Sequence, residues 1–252
     1  MILTTVPAIA MEHLTVSYGG KPVLIDISLN IPQGMVVGIM GPNGAGKSTL
    51  IKSIMGFVPR DFGTVRLFGK TVDNARGHVA YVPQRGQIDW QFPVTVWDVV
   101  MMGRYQYTPW YRSFTSRDRH IAEQALADVR MDSFRNRQIG QLSGGQQQRV
   151  FMARALAQQA DILLLDEPFA GVDAATERAI SALLTASKAQ GKTVLVVHHD
   201  LETAAEFFDR IIIVNRRLFA YGTPRDVLKD DLLAGVYGGA LRKINWNTGA
   251  DT

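Results

Sequence analysis

Short apolar runs alternate with longer amphipathic stretches along most of the chain. Near-continuous apolar runs predict buried strands at residues 35–40, 162–165, 193–197 and 211–214. Apolar positions at helical spacing predict helices at residues 47–55 and 174–189. This alternation is typical of a mostly parallel sheet with helices packed on it, so we predict the α/β fold class.

Two parts of the chain depart from this alternation. Leu14, Val16 and Tyr18 alternate with polar residues, and residues 23–31 are extended up to a Pro-Gln-Gly turn, which predicts half-exposed antiparallel strands. After about residue 90 the strand signals stop, and helical patterns follow at residues 96–102, 121–129 and 144–157. We interpret this second stretch as a helical insertion.

The predicted organisation is one domain over residues 1–252 that contains this insertion. Its catalytic core comprises about residues 1–89 and 158–225, its helical subdomain about 90–157, and its C-terminal tail about 226–252, which is polar beyond Leu241. The first ten residues lack the basic start and the apolar stretch of a signal peptide, so we interpret them as an ordinary amino terminus.

The composition narrows the class of protein. The 27 Lys and Arg against 23 Asp and Glu give a net charge of only +4, so nucleic acid is not expected as a partner. Cysteine is absent from the sequence, which excludes disulfides, thiolate nucleophiles and cysteine zinc sites. No apolar run approaches the roughly 18 to 20 residues that cross a bilayer. We therefore expect a cytoplasmic chain, and any role in the membrane would require separate spanning subunits.

The clearest chemical signal is a glycine-rich run that directly follows the buried strand at residues 35–40. It has the sequence Gly41-Pro42-Asn43-Gly44-Ala45-Gly46-Lys47-Ser48, followed by Thr49, and we assign this whole run to ATP binding. Its spacing and its place between a strand and a helix fit the phosphate-binding loop. Lys47 is expected to reach the β- and γ-phosphates, and Ser48 to ligate Mg²⁺. A plain glycine-rich turn is the disfavoured alternative.

Two carboxylates follow the buried strand at residues 162–165. Asp166 and Glu167 come at its carboxyl end, where open α/β sheets bind their ligands. We expect Asp166 to hold Mg²⁺, directly or through water, and Glu167 to orient and polarise the water that attacks the γ-phosphate. Helix capping would be the favoured interpretation of such acids in isolation, but the phosphate-binding loop reverses that preference.

A third motif lies between the loop and the acids. It has the sequence Leu142-Ser143-Gly144-Gly145-Gln146 and precedes an amphipathic helix. In isolation it would be a loop with Ser143 as the helix N-cap. The phosphate-binding loop, this signature and the Leu-Leu-Leu-Asp-Glu-Pro strand end, in that order, resemble an ATP-binding cassette (ABC) ATPase over about residues 9–225. The resemblance implies a P-loop NTPase fold with a RecA-like core, an antiparallel β subdomain and an inserted helical subdomain.

The same resemblance assigns residues outside these motifs. Tyr18 resembles the aromatic residue that stacks on adenine, although an exposed tyrosine at the end of a strand is the alternative. Gln84 resembles the glutamine of the Q-loop, which senses Mg²⁺ and the γ-phosphate and links the core to the helical insertion. The resemblance therefore adds Gln84 to Ser48 and Asp166 as an expected Mg²⁺ contact.

Two more residues follow from the resemblance. Asp173 resembles the aspartate of the D-loop, although Val172 stands where leucine is commonest in the family. His199 resembles the switch histidine, because His199 rather than His198 directly precedes an aspartate. A histidine here is expected to contact the γ-phosphate and to orient the water and Glu167. The alternative is that His199 only caps the end of a strand.

The family resemblance also implies partners. It implies a head-to-tail homodimer in which the signature of each chain closes over the ATP of the other, giving two composite sites. It further implies that such a dimer drives separate membrane-spanning permease subunits, with the chain peripheral on the inner face of the cell membrane. A soluble DNA-repair or chromosome-structuring ATPase is disfavoured, because only about 100 residues separate Gly41 from Leu142 and leave no room for long heptad insertions. A translation-type protein is equally disfavoured, because it would carry two cassettes.

The stretch from Tyr81 to Tyr105 refines the resemblance. It resembles ATPases that energise uptake of manganese, zinc or iron, which work with an extracytoplasmic metal-binding receptor, here an indirect partner. An ATPase for another substrate, such as an iron chelate, is the alternative. Within this stretch an aromatic-rich group is predicted to dock the permease, with core packing as the alternative. The group comprises Ile88, Trp90, Phe92, Pro93 and Val94.

Overall fold

The structure is a computed structural model that describes residues 6–87, 92–109 and 111–237. Its strands are β1 (Ile9–Tyr18), β2 (Lys21–Ile31), β3 (Val36–Met40), β4 (Phe62–Leu67), β5 (Lys70–Thr71), β6 (Val79–Val82), β7 (Ile162–Asp166), β8 (Thr193–Val197), β9 (Arg210–Asn215) and β10 (Arg217–Gly222). Its α-helices are α1 (Lys47–Ile54), α2 (Val72–Ala75), α3 (Val96–Met101), α4 (Ser116–Asp128), α5 (Gly144–Ala157), α6 (Ala174–Ala189), α7 (Leu201–Phe207), α8 (Pro224–Val227) and α9 (Asp230–Tyr237).

The central sheet has six strands in the order β10-β9-β3-β8-β7-β6. Neighbouring strands from β9 to β6 are parallel, and β10 folds back antiparallel on β9. Strands β3, β7 and β8 are buried along their whole length, which explains their continuous apolar sequences. Successive residues alternate between two apolar cores, with Val36 and Met40 in one and Val37 and Ile39 in the other. The predicted α/β class is confirmed.

A smaller antiparallel sheet has the strand order β2-β1-β4-β5. Leu14 and Val16 of β1 are buried while Thr15 and Ser17 are half-buried, as the alternation predicts, and Glu12 and His13 are both exposed where the pairing with β2 shifts register. This sheet shares an apolar core with α1 and with one face of the central sheet. The phosphate-binding loop and α1 are therefore held between two sheets.

Helices α3, α4 and α5 pack on one another and contribute to the other apolar core, the one that contains Val36 and Met40. Each begins with a capping box, formed by Thr95 with Asp98, Thr115 with Asp118, and Ser143 with Gln146. Helix α4 begins at Ser116 and not at the predicted residue 121, because its first turn is polar and carries no apolar periodicity. Among the described residues between 92 and 157, the structure has one isolated β-bridge and no β-strand.

The described part of the C-terminal tail packs on the core. In α9, Leu233 and Val236 are buried, and the Asn215 side-chain amide donates to the Val236 carbonyl at 3.1 Å. Residues 238–252 lie outside the described residues. In the part of the chain that the structure describes, no helix is both long and apolar enough to cross a membrane.

Candidate nucleotide-binding site

The carboxyl ends of four neighbouring parallel strands meet at one edge of the central sheet. Strands β3, β8, β7 and β6 lie side by side in this order. They are followed respectively by the phosphate-binding loop, His199, Glu167 and Gln84. This edge is where ligands bind in open α/β sheets. The fold therefore brings together residues that are more than 150 positions apart in the sequence.

The phosphate-binding loop is closed by its own lysine. The Lys47 ammonium donates to the carbonyls of Gly41 at 2.8 Å and Pro42 at 2.9 Å. The pKa of Lys47 lies below its ordinary value because burial disfavours the ammonium, and the carboxylates of Glu167 and Asp166 offset part of this effect. The nearly buried cation thus lies within the loop that is expected to bind phosphate.

Gly41 is required by the packing of this loop. A β-carbon there would lie 2.0 Å from the Val214 carbonyl oxygen, and its φ of +152° is rare for residues with side chains. The strand β9 therefore approaches the loop directly, and the glycine allows this contact.

Asp166 faces the start of α1 at the end of β7. The Ser48 hydroxyl donates to its Oδ1 at 3.1 Å, and the Tyr81 hydroxyl lies 3.5 Å from its Oδ2. The pKa of Asp166 lies above its ordinary value, mainly because burial disfavours its charge, while the Ser48 hydrogen bond acts in the opposite direction. A serine hydroxyl beside a buried carboxylate is an oxygen donor set that fits Mg²⁺.

Glu167 is held by two side chains from neighbouring strands. The Gln84 amide donates to its Oε2 at 2.7 Å, and Nε2 of His199 lies 2.5 Å from its Oε1. The described hydrogen bonds of Asp166 and Glu167 thus lead to side chains around the loop, and neither carboxylate caps a helix. Glu167 also has a positive φ of 54°, which is uncommon for a residue with a side chain and typical of functional turns.

The two consecutive histidines have different surroundings. His198 is buried, one of its ring nitrogens lies 2.9 Å from the Thr203 hydroxyl, and Phe169 contacts its ring edge-on. Burial lowers the pKa of His198, which favours the neutral ring. His199 is 43% exposed and contacts Glu167. Only His199 of the pair therefore lines the site next to the phosphate-binding loop.

An open cavity of about 930 Å³ lies over these residues. It is lined by Tyr18, Val23, Asn43, Gly44, Ala45, Gly46, Lys47, Ser48, Thr49, Gln84, Glu167 and His199. Tyr18 is 47% exposed at the end of β1 and lines this cavity. Sequence reasoning missed Val23 and Tyr81, because an apolar residue in β2 and a tyrosine in β6 carry no signal that separates them from ordinary strand residues.

The signature does not reach the cavity of its own chain. Residues 142–146 are absent from the cavity lining, and Leu142 is buried in the helical core. Ser143 is exposed at the N-cap of α5, where its hydroxyl accepts from the Gln146 amide at 3.4 Å and its own amide donates to the Gln146 side chain at 2.9 Å. Asp173 likewise caps α6, with its Oδ1 accepting from the Thr176 amide at 2.7 Å.

The sequence identifies the family to which this chain belongs. A family model described as ABC transporter matches residues 24–170, which is more than half of the chain and includes the phosphate-binding loop and the signature. The chain belongs to the ABC transporter family. The predicted family resemblance is thus confirmed, and it carries nucleotide binding with it as the shared property of ABC ATPases.

Named relatives of this ABC ATPase cover nearly its full length. It is 53% identical to the manganese transport system ATP-binding protein MntB of Bacillus subtilis, over 92% of this chain and 93% of that protein. It is 50% identical to the zinc transport system ATP-binding protein TroB of Treponema pallidum, over 95% and 90% respectively. The ADP conformation of MJ1267, an ATP-binding cassette of an ABC transporter, superposes with a TM-score of 0.77 at 26% identity, covering 92% of this chain and 98% of that chain.

Proposed function

We propose that this ABC ATPase is the ATP-hydrolysing subunit of a transporter that imports a transition-metal ion, with manganese and zinc as the first candidates. The observation that carries hydrolysis is the carboxylate of Glu167, which is held by Gln84 and His199 and lines the cavity over the phosphate-binding loop. The names of the two relatives above support the choice of metal. Iron and an iron chelate have less support, since neither relative is named for them.

The proposed chemistry uses the residues in distinct roles. Lys47 and the loop amides would bind the β- and γ-phosphates of ATP, and Tyr18 would stack on the base. Ser48, Asp166 and Gln84 would hold Mg²⁺, which supplies neutralisation of phosphate charge when bound. Glu167 would orient the attacking water and accept its proton, and His199 would keep that carboxylate in place.

The proposed assembly is a head-to-tail homodimer with composite sites. The exposed position of Ser143 outside its own cavity supports a role of the signature towards a partner's ATP. The N-terminus of α5 offers amides and a hydroxyl to an anion. The dimer would act on permease subunits from the inner face of the membrane, with an extracytoplasmic metal-binding receptor as an indirect partner.

We expect the Glu167→Gln protein to be monomeric without nucleotide and dimeric with ATP. The trapped ATP would supply phosphate contacts to both protomers and so shift the equilibrium by mass action. Light scattering with and without ATP measures the change.

A mixture of Ser143→Arg and Lys47→Ala proteins would retain at most one intact composite site per heterodimer. Normal hydrolysis by each of these two variants alone would contradict the shared site.

We expect Phe92→Ala to weaken permease binding without lowering the melting temperature. Phe92 is 59% exposed and Pro93 is exposed, whereas Val94 packs against the helical core, so the predicted group is divided between surface and core. Val94→Ala is the matched control and should lower the melting temperature. Permease pull-down and melting are measured on both variants; unchanged pull-down by Phe92→Ala would remove Phe92 from the interface. Ile88 and Trp90 lie outside the described residues.

The substrate assignment is tested in cells. Uptake of radioactive manganese and of zinc is compared between cells that carry the wild-type chain and cells that carry Glu167→Gln, with equal amounts of transporter in the membrane. The proposal expects uptake of one of these metals to disappear in the variant. Equal uptake of both metals in the two strains would show that this chain energises transport of something else.

A further inference from the structure

The first turn of the signature helix α5 is wedged between two other parts of its own chain. A β-carbon at Gly144 would lie 2.4 Å from Nη1 and 2.7 Å from Cζ of Arg85. A β-carbon at Gly145 would lie 2.9 Å from the hydroxyl of Thr176, which is buried in the first turn of α6. These distances are shorter than packed atoms allow, so the guanidinium of Arg85 lies directly on the bare backbone of Gly144.

Arg85 is also hydrogen bonded to this helix. Its Nε donates to Oε1 of Gln147 at 3.2 Å. The buried Gln147 side chain in turn donates to the Ile139 carbonyl at 3.2 Å, in the turn that precedes the signature. Arg85 therefore contacts the start of α5 both by packing and through a buried amide that fixes the turn before it.

The residue before Arg85 contacts the predicted catalytic carboxylate. Gln84 donates to Glu167 at 2.7 Å, so two consecutive residues of one loop contact the nucleotide site and the signature helix. The other end of α5 is tied to the strand before this loop. Arg154 donates to the Tyr81 carbonyl at 2.9 Å, and Gln158 donates to the Val79 carbonyl at 2.7 Å.

We propose that Arg85 is a positioning residue that couples the place of Gln84 in the nucleotide site to the orientation of the signature helix. This inference rests on the proposed composite dimer. Nucleotide bound in one protomer would then determine the orientation of that protomer's own signature helix. This is the signature that the protomer presents to the ATP of its partner. The guanidinium suits this role, because it packs against the backbone of Gly144 while its Nε holds Gln147, and a lysine ammonium cannot do both.

The test separates binding in a chain's own site from closure of the dimer. In the Glu167→Gln protein, light scattering gives the ATP concentration at which half of the chains are dimeric. Adding Arg85→Ala is expected to raise this concentration by about tenfold or more, the size of a lost hydrogen bond to a charged group. Adding Arg85→Lys should give most of the same increase. Adding Arg117→Ala, which removes an exposed arginine of α4, is the matched control and should change nothing.

Binding in the chain's own site is measured with a fluorescent ATP analogue on the Ser143→Arg protein, in which the proposed dimer cannot close. There Arg85→Ala should leave the affinity unchanged within about twofold, because Arg85 contacts the signature helix. A loss of affinity in this protein would place the action of Arg85 in its own nucleotide site and overturn the inference.

The remaining outcomes are also decisive. If Glu167→Gln dimerises and Arg85→Ala does not change its midpoint, the coupling role is wrong while the composite dimer stands. If Glu167→Gln does not dimerise with ATP at all, the proposed dimer itself is wrong. A double-mutant cycle between Arg85→Ala and Gln147→Leu completes the test, because partners in one network give non-additive midpoints, whereas additive effects would contradict the contact.

Discussion

Replacement of Glu167 by glutamine is expected to stop ATP turnover while ATP binding remains. The substitution keeps the size of the side chain and its contact with Gln84, but it removes the charge that orients the water and accepts its proton. Loss of a positioned general base typically costs about 10²- to 10⁴-fold in rate. Phosphate release measured under saturating ATP, together with equilibrium binding of labelled ATP, checks both halves of this expectation.

Lys47→Ala is the contrasting variant. It removes the positive charge expected on the phosphates and also the two hydrogen bonds that close the loop on the Gly41 and Pro42 carbonyls. We expect it to lose ATP binding, so that its turnover fails at an earlier step than that of Glu167→Gln. Near-normal hydrolysis by Glu167→Gln would reject the role of this carboxylate, and tight ATP binding by Lys47→Ala would reject that of the lysine.

Asp118→Asn is expected to destabilise the helical part of the chain by about 3 to 5 kcal/mol, because it leaves a buried arginine without its counter-charge. Arg104 Nε donates to Asp118 Oδ1 at 3.0 Å, and both side chains are buried. Arg104 also donates to the Ala157 carbonyl at 2.7 Å, so the pair joins the region after α3 to the start of α4 and the end of α5. Denaturant unfolding measures the change.

The matched control is Glu123→Gln on the same helix. Glu123 pairs with Arg135 at 3.0 Å, but its side chain is 49% exposed, so its loss should cost at most about 1 kcal/mol. Equal unfolding midpoints for the two variants would show that burial of the Arg104 pair carries no special weight.

The carboxylate of Asp118 also predicts a dependence of stability on pH. The pKa of Asp118 lies below its ordinary value, chiefly because the Thr115 hydroxyl donates to the carboxylate, with Arg104 contributing in the same direction. Its stabilising effect is therefore complete above the ordinary aspartate pKa and is lost as the pH falls through the lower pKa of the folded chain. The difference in stability between wild type and Asp118→Asn should shrink in this acidic range.

The sequence alone predicted the elements whose burial is uniform or strongly periodic. The buried strands β3, β7 and β8 were found because each has one continuous apolar run, and the helix α6 was found because it has one apolar face. Strands β4 and β5 were missed, since most of their residues are exposed and β5 has only two residues. Strand β4 is fixed by pairing with the distant β1, and β5 is fixed by pairing with β4, which no local pattern records.

The candidate site divides in a similar way. Motif spacing and the family resemblance named the phosphate-binding loop, Gln84, Glu167 and His199, and the cavity is lined by residues 43–49 of the loop together with these three side chains. Their chemical roles remain predictions. The contacts of Arg85 with Gly144 and Gln147 were not predicted, because they depend on how a loop after β6 meets a helix some sixty residues later. Tertiary packing decides such contacts.

The lysine that closes the phosphate-binding loop affects the rates at which ATP binds and dissociates. Because the Lys47 ammonium bonds two carbonyls of its own loop, the loop is preorganised and its curvature does not have to be created by the ligand. When ATP binds, the Lys47 ammonium is expected to exchange these two carbonyls for oxygens of the phosphates. Association is expected to be fast and little dependent on temperature, and differences in affinity among loop variants should appear mainly as differences in the rate of nucleotide release.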